Sequence, residues 1–275
     1  MTTKRLKACS QPWADGWLRV VPSHVFDTLL SNDNLRDSLR LRVGVETGTG
    51  DSHCPLCCQL VDAYGRHALS CMSGGDCVGR HNTVRNTFFK EAVKARFRPV
   101  LEKPGILPDQ RPADIFLHVG PSAAQSGRRH FDQVAWDFAV ISPYTPARLR
   151  DATDAADMAT YAEQKRQKLG TASRCEGLGV AFEPIVFEAT GGVELGGKKV
   201  LEGLFKAVAA NTDSTPQEVT ERVMGRISID LQRAWHRSLS RRSTMVYSED
   251  AGESRELRNT TRPGPPRGPA MPSRG

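Results

Sequence analysis

The sequence predicts an α/β domain of the α+β kind: a small mixed sheet flanked by helices, preceded by a compact unit rich in cysteine. Three observations carry this. Short apolar runs bounded by Gly, Ser or Pro recur near 99–107, 111–117, 135–142 and 180–190, and read as strands. Stretches with apolar residues at helical spacing alternate with them, at 83–97, 151–170, 198–210 and 216–239. Five of the seven cysteines fall between Cys54 and Cys77. The basic start Met1 to Lys7 is followed by no apolar stretch of the secretory type, so the clustering points to a metal rather than to disulfides.

With 275 residues the chain has enough length for one or two domains with a real core. Mean hydropathy is −0.43, and no apolar run approaches the roughly 20 residues that span a bilayer. A nuclear or cytoplasmic, non-secreted protein with no membrane partner is therefore expected. The net charge of +7 favours an anionic partner, nucleic acid first, although an ordinary basic protein has the same balance.

Residues 1–50 read as a helical lead-in, with Leu35, Leu39 and Leu41 among arginines in a short basic helix over 34–43. Residues 51–80 carry Cys54, Cys57, His67 and Cys71, the pattern Cys-x2-Cys-x9-His-x3-Cys. Four such ligands close a tetrahedron and leave no open position, so a zinc ion here is structural. Cys58, His53, Cys77 and His81 compete as ligands, and a group of buried free thiols is the alternative. In 83–97 the stripe Val84, Phe88, Ala92 and Ala95 opposes Arg85, Lys90, Lys94 and Arg96, an amphipathic basic helix on which Glu91 reads as a surface residue.

The strands at 111–117 and 135–142 each carry one acid, Asp114 and Asp137, and the small polar segment 120–129 between them reads as a hairpin loop. Carboxylates brought together on neighbouring strands repel unless a cation lies between them, and hard oxygens suit magnesium or manganese. Asp109, in Pro108-Asp109, sits in a turn context and reads as a decoy. In the helix over 151–170, Tyr161, Lys165 and Lys168 share a face, which offers an ammonium group to the same site. The strand over 180–190 follows, then helices over 198–210 and 216–239. From Ser240 the chain is rich in Arg, Ser and Pro, and disorder is expected over 240–275.

Taken together, Arg111-Pro-Ala-Asp114, Trp136-Asp137-Phe-Ala-Val, Ala162-Glu-Gln-Lys165-Arg-Gln-Lys168 and Pro184-Ile-Val-Phe-Glu188-Ala-Thr-Gly-Gly resemble the restriction-like endonuclease domain of non-LTR retrotransposons, within the PD-(D/E)XK superfamily. The resemblance runs from about Trp17 to about Ser238 and includes the zinc knuckle before the endonuclease domain at 81–239. It implies metal-dependent nicking of DNA, with element RNA as a further partner. Asp114 and Asp137 match the metal ligands, Lys165 or Lys168 the basic residue, and Glu188 the acid of the last strand. Arg80, His81, Arg85 and Arg111 are the expected nucleic-acid contacts. Three departures bear on activity: Pro-Ala-Asp replaces Pro-Asp, Ala139 stands where a lysine would follow Asp137, and Leu169 replaces a tyrosine. The reverse transcriptase that precedes this domain in such elements does not appear, so a fragment or a stand-alone descendant is expected. The other readings are a catalytically inactive zinc-knuckle protein that binds nucleic acid, and a structural or interaction protein whose strand acids only cap loops.

Overall fold

The computed structural model describes residues 2–47, 52–120, 133–145 and 158–259, with side chains described as far as Arg242. The lead-in holds α1 (Thr2–Cys9), α2 (Gly16–Arg19) and α3 (Asn32–Val43). α3 begins where Ser31 accepts the Asn34 N–H and ends on Gly44, whose φ of 78° suits a residue without a Cβ. The cysteine-rich unit contains the hairpin β1 (Ser52–His53) and β2 (Leu60–Val61), then α4 (His67–Ser70). There follow α5 (Asp76–Lys94), β3 (Pro99–Leu101), β4 (Ile115–Leu117), β5 (Gln133–Ile141), α6 (Met158–Gln167), α7 (Thr171–Gly177), β6 (Val180–Glu188), α8 (Leu195–Ala210) and α9 (Pro216–Asn259).

The main sheet has the order β3-β4-β5-β6; the first two pairings are antiparallel and β5 runs parallel to β6. Parallel neighbours need a crossover, and α6 and α7 lie in it. They cover one face: Met158 and Ala162 pack on Ala139 and Val186, and Cys175 packs with Ala135 and Phe182. α5, α8 and α9 cover the other face, where Trp136, Phe138, Ile185 and Phe187 point. Phe88 of α5 stacks on Phe138 with ring centroids 5.4 Å apart. β6 is buried along its whole length, so it reads as a continuous apolar run rather than an alternating one. Pro184 is tolerated within it because β6 is the last strand of the sheet. The result is a mixed α/β fold with a small mixed sheet flanked by helices, beside a Cys/His cluster.

Several expected boundaries shift. The helix expected over 151–170 ends at Gln167, because Leu169 and Gly170 adopt left-handed φ values of 54° and 64° before α7 starts. Its first part, 151–157, and nearly all of the expected hairpin loop lie outside the described residues. The strand expected over 99–107 is paired only over Pro99–Leu101. α9 does not stop at Leu239 but continues to Asn259, since no proline interrupts the chain between Pro216 and Pro263. The expected disorder over 240–259 is thus replaced by helix, and 260–275 lies outside the described residues. Among the described residues no helix is long and apolar enough to cross a membrane.

Candidate metal centres

The first centre is built by the hairpin and α4. Cys54 N–H donates to the Gln59 carbonyl and Cys58 N–H to the Cys54 carbonyl, both at 2.8 Å. Cys58 takes a left-handed φ of 58°, which reverses the chain. Asp62 Oδ2 accepts the His67 N–H at 3.2 Å at the start of α4. The Sγ atoms of Cys54, Cys57 and Cys71 and a ring nitrogen of His67 then lie within 4.8 Å of one another. Cys57 Sγ is 3.3 Å from His67 Nε2 and 3.6 Å from Cys71 Sγ. Zinc bonds of about 2.0–2.3 Å in a tetrahedron place donors a little under about 4 Å apart, so these four fit the ion. The competing ligands stand elsewhere: Cys58 and His53 are exposed, and Cys77 Sγ donates to the Cys71 carbonyl.

The electrostatics suit a metal. Burial, and then Arg242, hold His67 below the ordinary imidazole range and favour the neutral ring that binds metals. Burial pushes the Cys71 thiol up, but the Arg242 guanidinium and the Ser73 backbone outweigh it and leave that thiol below its usual range. Desolvation, and then the neighbouring thiols of Cys71 and Cys54, push the half-buried Cys57 up to about 11. Arg242 comes from α9 and is anchored on Asp76 Oδ2 at 2.9 Å and on the Ser238 carbonyl at 2.6 Å.

The second candidate is the acidic pair at the start of β4. The register pairs Ile115 with Trp136 and ends there, so Asp114 stands just before β4 and Asp137 one position past the last paired residue of β5. Asp114 N–H donates to the Trp136 carbonyl at 2.9 Å, so Asp114 and Ile115 both stand against Trp136 and the ladder slips by one residue, as at a bulge. The inserted Ala113 is buried and packs with Phe116 and Ala135. Each acid has a cationic or protonatable neighbour. His81 Nε2 of α5 lies 3.3 Å from Asp114 Oδ1, and Lys165 Nζ of α6 lies 2.7 Å from Asp137 Oδ2. Asp114 Oδ2 also accepts the Phe138 N–H at 2.7 Å, where β4 leaves the edge of β5 open. Burial raises Asp114, but His81 and Phe138 outweigh it and hold its carboxyl below the usual range. Asp137 is pushed up to about 6 by burial, against the pull of Lys165 and with the push of Asp114.

The other expected site residues divide. Lys168 lies past the end of α6 and is exposed, so Lys165 is the ammonium that reaches the acids. Glu188 pairs in register with Ile141, four residues beyond Asp137, or about 13 Å along the strand. It accepts from Thr190 Oγ1 at 2.9 Å and does not join the pair. Arg80 is not a nucleic-acid contact: it is 2% exposed and donates to the Ala68 and Leu69 carbonyls. His81 belongs to the acidic pair rather than to the surface. Arg85 and Arg111 both hold Glu102, at 2.5 and 3.0 Å. Asp109 is bound by Arg174 at the surface, away from the pair. Glu91 is buried rather than exposed; it accepts two bonds from Arg222, at 3.0 and 2.9 Å, and one from Lys94 at 2.8 Å. Arg242 went unread because it falls in the stretch that composition marks as tail. Among the described residues, only the knuckle brings three or more such donors all within 4.8 Å of one another; His81, Asp114 and Asp137 do not. Comparison with known protein families, with curated proteins and with solved structures finds no match to this chain.

Proposed function

We propose that the chain is a metal-dependent DNA endonuclease of the restriction-like kind found in non-LTR retrotransposons, with a structural zinc knuckle. One observation carries the reading: Asp114 just before β4 accepts the Phe138 N–H of β5, and Asp137, the preceding residue of β5, is held by Lys165. Two carboxylates on paired strands match the hard-oxygen preference of magnesium or manganese. A divalent ion held there by Asp114 and Asp137 supplies Lewis acidity toward a phosphodiester oxygen. The chain's own groups do the rest. Lys165 places an ammonium where negative charge grows on the phosphate. His81, fixed against Asp114, holds or takes a proton within reach of the scissile bond. Arg85 and Arg111 lie on the approach to Asp114, through Glu102, whose N–H donates to the Asp114 carbonyl.

The test is nicking of supercoiled plasmid by purified protein with magnesium or manganese. Wild type is expected to nick, and Asp137→Ala to lose at least about a hundredfold in rate, in the range of electrostatic groups at phosphoryl centres. An inactive wild type, or undiminished cutting by Asp137→Ala, overturns the assignment. A specific observation favours the second reading, an inactive nucleic-acid binder: both acids are already engaged by His81 and Lys165, and the three donors do not converge as the knuckle's do. That reading predicts steeply salt-dependent DNA binding without cleavage.

A further inference from the structure

We propose that Arg242 is the outer counter-ion of the metal centre in the knuckle, and that metal occupancy there controls the docking of the C-terminal part of α9. The inference rests on the four-donor cluster and is independent of the endonuclease reading.

Two guanidinium groups are buried beside this cluster: Arg80 is 2% exposed and Arg242 is 1% exposed. A buried cation is costly unless an opposite charge compensates it. Asp76 is the carboxylate that Arg242 contacts, at 2.9 Å, and it is shared with Arg241, also at 2.9 Å. Arg80 bonds only to neutral groups, the Ala68 and Leu69 carbonyls and Cys77 Sγ. The Nε atoms of Arg80 and Arg242 are buried with no hydrogen-bond partner. Asp62, which accepts the His67 N–H, has Arg66 at 4.0 Å. Among the described residues, the two buried guanidinium groups thus have one carboxylate, Asp76, in contact with either of them. A divalent ion with three thiolates and a neutral imidazole carries one net negative charge, which is the missing counter-charge. Arg242 Nη2 and the ligand atom Cys71 Sγ converge on one acceptor, the Ser73 carbonyl, at 3.3 and 3.9 Å. Outer groups of this kind orient metal ligands and tune their affinity.

The anchors of α9 fall in the same place. Trp235 Nε1 donates to the Gly65 carbonyl at 3.2 Å, Ser238 Oγ to the Ala68 carbonyl at 2.8 Å, and Arg242 Nη2 to the Ser73 carbonyl at 3.3 Å. Gly65 and Ala68 lie between the ligands Cys57 and Cys71, and Ser73 lies two residues past the last ligand. Without an ion these loops lose their cross-link, because binding energy at such sites is folding energy. The docking surface of α9 goes with them.

The experiment uses the zinc-loaded full chain, with zinc itself as the probe. Amide hydrogen exchange over 232–242 is expected to rise at least about tenfold on chelation, while β5 and β6 hold their protection. Arg242→Gln should weaken zinc binding about 10–100-fold against a chromophoric chelator, and Arg242→Lys should recover part of that loss. In the cobalt form, Arg242→Gln should shift the thiolate-to-metal charge-transfer band. Unchanged exchange in α9 on chelation overturns the proposal, as does exchange rising alike across the whole chain. Zinc affinity of Arg242→Gln within about twofold of wild type overturns it too. If that variant does not fold, the wild-type exchange comparison decides alone.

Discussion

Asp114 and Asp137 lie at neighbouring places on β4 and β5, yet their replacement should change stability in opposite directions. Asp137 is held near about 6, against an ordinary value of 3.8. The native state therefore binds more protons than the unfolded chain between those values, so stability falls as pH rises from about 4 through 6 and is level above. The gap corresponds to about 3 kcal/mol against the ionised form at pH 8. The Lys165–Asp137 pair is about a fifth exposed on each side, so solvent screening reduces this to about 1–2 kcal/mol. Asp137→Asn removes the buried charge and keeps the shape. It should gain about 1–2 kcal/mol at pH 8 and nothing near pH 4. Asp114 has the opposite sign. Its carboxyl lies below the usual range, and its Oδ2 accepts the Phe138 N–H. Asp114→Asn should lose about 1–2 kcal/mol at neutral pH. Urea denaturation of each variant against wild type, with a zinc chelator present at both pH 8 and pH 4 so that the metal state is the same, measures both. Millimolar magnesium, if bound, should stabilise wild type and leave Asp137→Asn unmoved. Equal losses from the two variants at pH 8 would refute the reasoning, because they would mean that neither acid is held at a cost to the fold.

Other outcomes follow from the same structure. Arg222→Ala leaves the buried Glu91 with Lys94 alone; because Arg222 is half exposed, the expected loss is about 1–2 kcal/mol by urea denaturation at pH 7. Arg222 and Lys94 outweigh burial and hold Glu91 low, so the effect should be full above its ordinary value of 4.5 and fade as pH falls below it. Gly225→Ala should lose about 1–2 kcal/mol, since the new Cβ would meet Val20 Cγ2 at 2.3 Å and a β-branched side chain turns aside with difficulty. Gly79→Ala, in α5 with nothing within 4 Å of the new Cβ, should instead gain up to about 1 kcal/mol in the same assay. Cys57→Ser should abolish stoichiometric zinc binding by metal analysis, whereas Cys58→Ser should retain it.

Much of the fold was legible because it follows periodicity. The strands around Asp114 and Asp137 announce themselves by Ile, Phe, Val and Trp between turn residues. The knuckle was legible because metal ligands must recur at fixed intervals, and the choice of Cys57 over Cys58 follows from the turn that leaves Cys58 outside. The register was not legible. Nothing in Pro-Ala-Asp says which residue stands across from Trp136; the Ile115 pairing decides that, and the Asp114 N–H on the same Trp136 carbonyl marks a slip of one residue there. Glu188 was misplaced for a related reason: β6 is long enough that an acid on the correct face still lies one strand segment beyond the pair.

The misread charges have a different cause, and it lies within α5. The apolar stripe Val84, Phe88, Ala92 and Ala95 was plain, yet the same spacing puts Arg80 four residues before Val84 and Glu91 three after Phe88. Both positions therefore belong to the buried face, and both are buried. Charge suggested solvent at each because a lone residue cannot reveal its partner. Those partners are distant in sequence: Arg222 of α9 for Glu91, and the backbone of 68–69 for Arg80. A charged residue in phase with an apolar stripe is better read as a search for a buried counter-charge. Applied to α5, that rule points to α9, the helix that meets Glu91 through Arg222 and the knuckle through Arg242. The long last helix thus ties the acid-bearing sheet to the Cys/His unit, and the ion pairs of Arg241 and Arg242 with Asp76 hold the start of the stretch that has the composition of a tail.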